Sequence, residues 1–251
     1  MKFLHLSDLH FHSSQRDNKE ANALLTFVKK EYPKHKLIIT GDIADDGMEA
    51  QFDNAFKGLK PFRGNVYIAP GNHDFGAAGL FYSQEKAERF DRMLCLPLEQ
   101  GGTFAHENLP LVHFIRDKGA KVLLVALDTN IETIQPFDFS CGEVGKKQLR
   151  ALRSILDDPS TRDAVKMVFM HHHPFVRNDP FMRLRDAKKL MRLLYYRVDV
   201  VLFGHRHKWE SWTNLNGIPH ILASDNSPGK DCAREVTVRG REVTVQEVPI
   251  R

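Results

Sequence analysis

The chain has 251 residues, of which 42% are hydrophobic and 27% are charged, and its net charge at pH 7 is +4. This balance is typical of a folded globular protein and excludes an intrinsically disordered chain, which would carry few apolar residues and a high net charge. A mildly basic protein suits an anionic substrate, but the charge is too small for a dedicated nucleic-acid-binding arm.

The three cysteines, Cys95, Cys141 and Cys232, lie far apart and form no CxxC motif. This pattern predicts free thiols in a reducing compartment. The opening run MKFLHLSDLH is interrupted by His5 and Asp8, which argues against a signal peptide. No stretch reaches the roughly 18 apolar residues of a membrane span. We therefore predict a cytoplasmic protein without membrane contact.

Hydrophobic periodicity predicts alternating strands and helices early in the chain and a higher proportion of strands later. In chain order we predict a strand at 2–7, a helix at 17–31, a strand at 36–40, a helix at 49–60, a strand that begins at 65 and runs into a turn by 74, a helix near 84–95, strands at 111–116 and 121–127, a helix at 144–156, a strand at 165–170, a helix at 185–196, a strand at 198–205 and a hairpin at 235–248. The alternation favours a largely parallel sheet. Without repeats or long linkers, we predict a single domain over residues 1–251.

Five of the predicted strands end directly in polar clusters. These clusters are Asp8 with His10, Asp42, Asn72 with His73, His171–His173, and His205 with His207. Ligands of an open parallel sheet bind at the carboxyl ends of its strands, so we expect the five clusters to converge on one edge.

The candidate metal ligands are two carboxylates, one amide and four imidazoles: Asp8, His10, Asp42, Asn72, His171, His205 and His207. Such mixed nitrogen and oxygen donors suit Zn, Mn, Fe or similar ions, and seven are too many for one tetrahedral ion. Two ions need a shared ligand, and the carboxylate of Asp42 can bridge them. Glycines precede several ligands directly, which lets the backbone turn tightly beside an ion.

With these motifs in place, the sequence resembles the calcineurin-like metallophosphoesterase superfamily. The motifs stand in the family's order as Asp8-Leu9-His10, Gly41-Asp42, Gly71-Asn72-His73-Asp74, His171 and Gly204-His205-Arg206-His207. In pattern the chain is most similar to the bacterial class III cyclic-nucleotide phosphodiesterase-like members. The resemblance implies an α/β fold, a four-layer α/β/β/α sandwich with two mixed β-sheets.

The resemblance also implies roles for individual residues. One metal ion would be held by Asp8, His10, Asp42 and His207, and the other by Asp42, Asn72, His171 and His205. His73 would contact the phosphate and assist the leaving group, oriented by Asp74. Within the histidine run the resemblance points to His171 as the ligand, while His172 and His173 are left as supporting or loop residues.

Several other polar residues have simpler interpretations. Asp45 and Asp46 are expected to face solvent or cap the next helix, and His12 is an alternative pocket residue. We expect the remaining histidines to be structural or on the surface, namely His5, His35, His106, His113 and His220.

The basic segment 177–197 allows two interpretations. It is either a solvated amphipathic helix with Leu190, Leu193 and Leu194 inward, or a cap over the substrate. The stretch LRDAKKL within it looks like the LRNAxEL segment of some bacterial cyclic-nucleotide phosphodiesterases. The residues before it do not reproduce the Trp-Leu-Asp element of that group.

The resulting prediction is a dinuclear metal-dependent phosphodiesterase in which a metal-bridging hydroxide attacks phosphorus in line. A small phosphodiester is the expected substrate, with cyclic nucleotides or glycerophosphodiesters first. The alternative is a metal-dependent DNA or RNA nuclease, in which segment 177–197 would follow the phosphate backbone. A scaffold without turnover is disfavoured, because every expected ligand and His73 are present. The sequence leaves the metal identities and the oligomeric state open.

Overall fold

The structure is a computed structural model that describes residues 1–105, 107–130, 140–176 and 178–251. Within these ranges, the strands are β1 Lys2–Leu6, β2 Lys36–Thr40, β3 Val66–Ala69, β4 Gly76–Ala77, β5 Phe81–Tyr82, β6 Leu111–Asp117, β7 Ala120–Ala126, β8 Val165–Phe169, β9 Val200–Phe203, β10 Ser211–Leu215, β11 Ile218–Ala223, β12 Cys232–Arg239 and β13 Glu242–Pro249. The α-helices are α1 Lys19–Glu31, α2 Glu49–Leu59, α3 Asn72–Phe75, α4 Gln84–Phe90, α5 Gly145–Asp157 and α6 Ala187–Leu194. The predicted strands and helices are all present within a few residues of their expected bounds.

Two large mixed sheets form the centre of the fold. The first has the order β13-β12-β1-β2-β3, in which β1, β2 and β3 are parallel and the β12–β13 hairpin is antiparallel. The second has the order β10-β11-β9-β8-β7-β6, with four parallel inner strands and an antiparallel strand at each edge. This confirms the two mixed sheets implied by the resemblance.

The strand residues show why the sheets stack. Successive residues of a strand point to opposite faces. On β7, Leu124 belongs to the core shared with the first sheet, whereas Leu123 and Val125 belong to a second core with α5 and α6. On the far side of the first sheet, α1, α2 and α4 add side chains such as Leu24 and Phe52 to the first core. The layers are therefore α/β/β/α, as expected.

Two hairpins were not predicted from the sequence, the short β4–β5 pair and the longer β10–β11 pair. Strands β10 and β11 pair across Asn216 and Gly217, which have φ values of +49° and +71°. Asn-Gly with both residues in the left-handed region is typical of a type I′ turn, which joins twisted strands in a two-residue loop. Strand β10 is mostly exposed, so it lacks the buried alternation that identifies a strand.

Three further predictions concern the chain as a whole. The cysteines Cys95, Cys141 and Cys232 are free, as predicted. No helix in the described ranges is long and apolar enough to cross a bilayer. His106 and Arg177, which belong to the sequence predictions, lie outside the described residues.

Candidate metal centre

The carboxyl ends of five strands bring the predicted ligands to one edge of the sandwich. Strands β1, β2 and β3 are neighbours in the first sheet, and β8 and β9 are neighbours in the second. Backbone hydrogen bonds join the loops that follow them. The Asp8 N–H donates to the Gly41 carbonyl at 3.1 Å, and the Gly204 N–H donates to the His171 carbonyl at 3.0 Å. Each loop is therefore positioned by its neighbour as well as by its own strand.

The backbone is strained at the residues that carry the ligands. Five of them have left-handed φ angles: Asp8 at +59°, His10 at +46°, Asp42 at +49°, His205 at +77° and His207 at +48°. This conformation costs a non-glycine residue about 1–2 kcal/mol. Such strain persists where the surrounding fold over-determines it, and it clusters at functional sites.

Gly71 and Gly204 are required because neighbouring side chains leave no room for a Cβ, and not because of their φ angles. A Cβ at Gly71 would lie 2.1 Å from Asp42 Oδ1, and one at Gly204 would lie 1.8 Å from Ser7 Oγ and 2.6 Å from Asp8 Oδ2. Any larger residue would displace the two carboxylates. The glycines of the GN and GH motifs thus provide space for the ligands.

Two of the ligands are fixed in orientation by backbone carbonyls. The Nδ1–H of His171 donates to the Thr40 carbonyl at 2.8 Å. The Nδ2 of Asn72 donates to the Gly79 carbonyl at 3.0 Å. His171 Nε2 and Asn72 Oδ1 consequently point into the site with their electron pairs available.

These electron pairs converge with others on a small volume. His171 Nε2 lies 2.9 Å from Asn72 Oδ1 and 3.1 Å from Asp42 Oδ2. His205 Nδ1 lies 3.0 Å from the same Asn72 oxygen and 3.2 Å from His171 Nε2. Four atoms that can all donate electron pairs repel one another unless a cation or a proton lies between them.

A second group of ligands lies on the other side of Asp42. The potential ligand atoms of Asp8, His10 and His207 lie within 4.8 Å of one another. The imidazoles of His10 and His207 are nearly parallel, with ring centroids 5.5 Å apart. His10 Nε2 is 4.0 Å from Asp42 Oδ2, the oxygen that also faces His171. Asp42 Oδ2 therefore stands between the two groups.

The electrostatics of this centre favour added positive charge. Burial would suppress ionisation of Asp42, but the surrounding histidines His171, His73 and His10 together outweigh burial and hold the pKa of Asp42 well below its usual range. Burial and the charge of Asp42 raise the pKa of Asp8. Despite burial, Asp42 raises the pKa of His171 to about 9. A proton on His171 thus supplies part of the charge that a metal ion would supply.

The residues present fit a pair of metal ions. Oδ2 of Asp8 and Nε2 of His10 are buried and have no hydrogen-bond partner among the described residues. Buried polar atoms are nearly always paired, so such exceptions require an explanation. Mixed imidazole, carboxylate and amide donors are typical of Zn, Mn and Fe sites.

Acidic groups behind the ligands were largely missed from the sequence. His207 Nδ1 donates to Asp225 Oδ1 at 3.3 Å, and His10 Nδ1 lies 3.3 Å from Asp45 Oδ1. The other oxygen of Asp45 is 3.3 Å from His12 Nδ1. Carboxylates that hold the second nitrogen of a ligating histidine fix its tautomer and orientation. The available signal for Asp225 was its position just after β11, a strand parallel to β9.

The expected pairing of His73 with Asp74 is wrong. The Nδ1–H of His73 donates to the backbone carbonyl of Asp45 at 2.7 Å. The buried carboxylate of Asp74 instead accepts three backbone N–H groups, from Ile43, Ala44 and Gly71. Asp74 shapes the two loops that carry Asp42 and Asn72, because its side chain lies below them and not beside the His73 ring.

The three consecutive histidines have three different environments. His171 faces Asp42. His172 is buried and hydrogen-bonded through Nδ1 to Thr129 Oγ1 at 2.7 Å. His173 Nε2 lies 3.1 Å from Glu210 Oε2, and its ring packs edge-on to Trp212. His172 also packs its ring against the ligand His205, with ring centroids 4.5 Å apart, whereas His173 supports the loop.

Helix α6 lies in the basic segment. Its buried residues are Leu190, Met191, Leu193 and Leu194, and all four belong to the second core. This agrees with the amphipathic interpretation of the described part of the segment, 178–197. Of the remaining histidines, His5, His35 and His220 have hydrogen-bond partners of their own, and His113 packs on Tyr67.

A four-layer sandwich with a cluster of metal-ligand side chains at one edge is the arrangement of a metal-dependent phosphoric ester hydrolase. The sequence model of the calcineurin-like phosphoesterase family matches residues 1–209, and the chain belongs to that family.

Known proteins agree with this assignment. The 3′,5′-cyclic adenosine monophosphate phosphodiesterase CpdA of Escherichia coli K12 is 25% identical over 221 residues, covering 83% of this chain and 70% of that protein. Its counterpart from Haemophilus influenzae is 25% identical over 177 residues, covering 68% of this chain and 54% of its own. In fold, a dimetal phosphatase from Danio rerio superposes with a TM-score of 0.67 at 13% identity, covering 100% of this chain and 96% of its own. Purple acid phosphatase PPD1 from yellow lupin gives a TM-score of 0.62 at 11% identity, covering 100% and 51%.

Proposed function

We propose that this protein is a dinuclear metal-dependent phosphodiesterase that hydrolyses small phosphodiesters, with 3′,5′-cyclic nucleotides as the first substrate class to test. The observation that carries the proposal is the position of Asp42 Oδ2, which is 3.1 Å from His171 Nε2 and 4.0 Å from His10 Nε2. One oxygen between two groups of donors is suited to bridge two ions.

The proposed ligands follow the two groups. Asp8, His10, Asp42 and His207 would hold one ion, and Asp42, Asn72, His171 and His205 the other. When bound, the ions would activate water and neutralise the charge that develops on the phosphoryl oxygens. Manganese, iron and zinc all suit these donors, so elemental analysis of the purified protein must identify them.

His73 is proposed to act on the substrate. Its Nδ1–H is held by the Asp45 carbonyl, and Nε2, which lies beside Gly79, has no hydrogen-bond partner among the described residues and remains available to a bound phosphate. Its backbone N–H donates to Asp42 Oδ1 at 3.0 Å, so His73 and the bridging carboxylate are positioned together. From Nε2 the imidazole can stabilise a phosphoryl oxygen or protonate the leaving alkoxide. Asp74 supports this arrangement through the backbone.

A cleft beside the metal centre favours a small substrate with a planar group. The cleft has a volume of about 260 Å³ and extends from His207 past Trp209. The indole Nε1–H donates to Glu247 at 2.6 Å, and the guanidinium of Arg234 packs 4.1 Å from the ring centroid. A rigidly held indole next to the ions can stack on a purine base. The names of the CpdA relatives point to the same substrate class.

We further propose that residues 1–251 form one catalytic domain. The first core joins both sheets, and the second core joins the second sheet to α5 and α6. Helix α6 packs in the second core, so within the basic segment only residues 178–186 are proposed as a cap over the substrate, supported by the interaction of the Met182 backbone with His205.

The experiment compares three substrates on protein reconstituted with Mn²⁺: cyclic AMP, bis-p-nitrophenyl phosphate and supercoiled plasmid. The proposal predicts hydrolysis of the first two and an intact plasmid. Trp209→Leu should raise KM for cyclic AMP and leave hydrolysis of bis-p-nitrophenyl phosphate unchanged. Trp212→Leu, which changes a tryptophan that does not line the cleft, is the control. Plasmid cleavage faster than diester hydrolysis would favour the nuclease alternative, and no hydrolysis of any ester would refute both.

A further inference from the structure

A second polar cavity lies at the opposite end of the second sheet from the metal centre. It has a volume of about 430 Å³, and the residues that matter here are Arg162, Lys166, Tyr196, Arg197, Gly217 and Arg241. Lys166 is near the start of β8, whereas His171 follows its end. Five residues of extended strand separate them by about 16 Å. The cavity is thus separate from the proposed catalytic site.

Four cationic side chains and three carboxylates, those of Asp157, Asp158 and Asp199, line this cavity. The carboxylate of Asp158 accepts the backbone N–H of Ser160 at 2.8 Å. Arg197 pairs with Asp157, while the carboxylate of Asp199 accepts the backbone N–H of Lys166 at 2.7 Å. Among the described residues, Arg162, Lys166 and Arg241 form no ion pair with a carboxylate. Burial and the neighbouring charges of Arg197 and Arg241 lower the pKa of Lys166. Like charges held together around a concave surface are the arrangement that binds an anion.

Tyr196 lies at the rim of the same cavity and has a left-handed backbone conformation that tyrosine rarely adopts. Tyr196 follows the end of α6 with φ at +60° and is 81% exposed. This left-handed position after a helix normally carries glycine or asparagine, because a larger side chain adds strain. The ring lies over Gly217, where an added Cβ would be 2.1 Å from Tyr196 Cδ1. One face of the ring is therefore supported by the Asn-Gly turn.

We propose that this cavity binds a nucleoside monophosphate, with the phosphate on Arg162, Lys166 and Arg241 and the base on Tyr196. A phosphate accepts charge-assisted hydrogen bonds from several cationic groups, and every nucleobase can stack on an aromatic ring. The concave shape and its size match a small ligand, since such sites span about 300–1,000 Å³. A nucleic-acid strand would instead need an open groove. The inference does not depend on the proposed catalytic activity.

The test is isothermal titration of AMP into the metal-loaded protein and into three variants. Arg162→Gln/Arg241→Gln removes two exposed charges from the cavity and should weaken AMP binding roughly tenfold or more. Arg63→Gln/Arg116→Gln removes two charges elsewhere and should leave the affinity unchanged. Asp42→Ala disrupts the metal centre and should retain this binding event.

The variant Tyr196→Gly distinguishes a loss of AMP binding from a loss of protein stability. Glycine relieves the left-handed strain, so the thermal midpoint should stay the same or rise, while AMP affinity should fall roughly 5- to 100-fold. Inorganic phosphate should bind more weakly than AMP and respond to the arginine pair but not to Tyr196→Gly. AMP binding that survives loss of the arginine pair, disappears in Asp42→Ala, or equals the binding of inorganic phosphate would overturn the proposal.

Discussion

Adding one methyl group at Gly71 provides a sharp test of the proposed centre. Gly71 has φ −107° and ψ 175°, a backbone conformation that alanine adopts without strain, so only space opposes the change. The new Cβ would lie 2.1 Å from Asp42 Oδ1 and 2.3 Å from Asp42 N. Normal carbon contacts are about 3.5 Å, so the carboxylate or its loop must move by about 1 Å. A displacement of this size in a catalytic group can cost about 100-fold in rate.

We expect Gly71→Ala to lose metal and activity together. The measurements are metal content per chain by elemental analysis and kcat/KM for bis-p-nitrophenyl phosphate, with an expected fall of about 100-fold or more. The matched control is Gly58→Ala on α2, where the added methyl meets Leu25 and Phe11 side-chain atoms at 3.0 and 3.1 Å. Gly71→Ala should also lose about 1–3 kcal/mol of stability from overpacking. In Gly58→Ala the crowding is opposed by the higher helix propensity of alanine, and this variant should keep its metal. Two ions per chain and an undiminished rate in Gly71→Ala would refute Asp42 as the bridging ligand.

Three further predictions test other parts of the arrangement. Asp42→Ala should lose both ions and all activity, whereas His73→Ala should keep the ions and lose about 10²–10⁴ in kcat; loss of metal in His73→Ala would show that the division of roles is wrong. Asp225→Asn should weaken metal affinity about 10- to 100-fold, because the acceptor of His207 loses its negative charge; unchanged affinity in a metal titration would contradict this role. Burial lowers the pKa of His113 to about 4, so its contribution to stability is present above pH 6.5 and is lost as the pH falls toward 4. In denaturant unfolding, His113→Phe should remove about 2 kcal/mol of the stability change between pH 7 and pH 5, and an identical pH dependence would disprove it.

The strain at the ligand residues also has a physical consequence. Left-handed angles at Asp8, Asp42 and His205 are maintained by the loops around them, and the interloop hydrogen bonds supply part of that restraint. The metal-free protein must also hold two buried carboxylates at one edge of the sheets. Cations bound between these carboxylates would relieve the repulsion, so ligand geometry and metal affinity are coupled in this fold.

The sequence by itself predicted which polar side chains lie together at one edge of the sheets. Apolar strands that end in Asp8, Asp42 and His171 can be recognised locally, since strand periodicity and the polar residue after it are both encoded within about ten residues. The parallel arrangement then brings the strand ends to one edge whatever the details of the loops. The same local signals predicted the strands and helices and, through the resemblance, the four-layer fold.

Only the tertiary structure decided which groups orient these residues. The carboxylate of Asp225 contacts His207, and the backbone carbonyl of Asp45 accepts the hydrogen bond of His73. Both contacts join loops that are well separated in the sequence. The expected role of Asp74 failed for the same reason. Because Asp74 follows His73 in the sequence, we expected its carboxylate to contact the His73 ring. In the structure, the helical turn at Asn72–Phe75 directs this carboxylate to backbone N–H groups of neighbouring loops. Side-chain direction depends on backbone angles and packing, and residue order alone does not specify these.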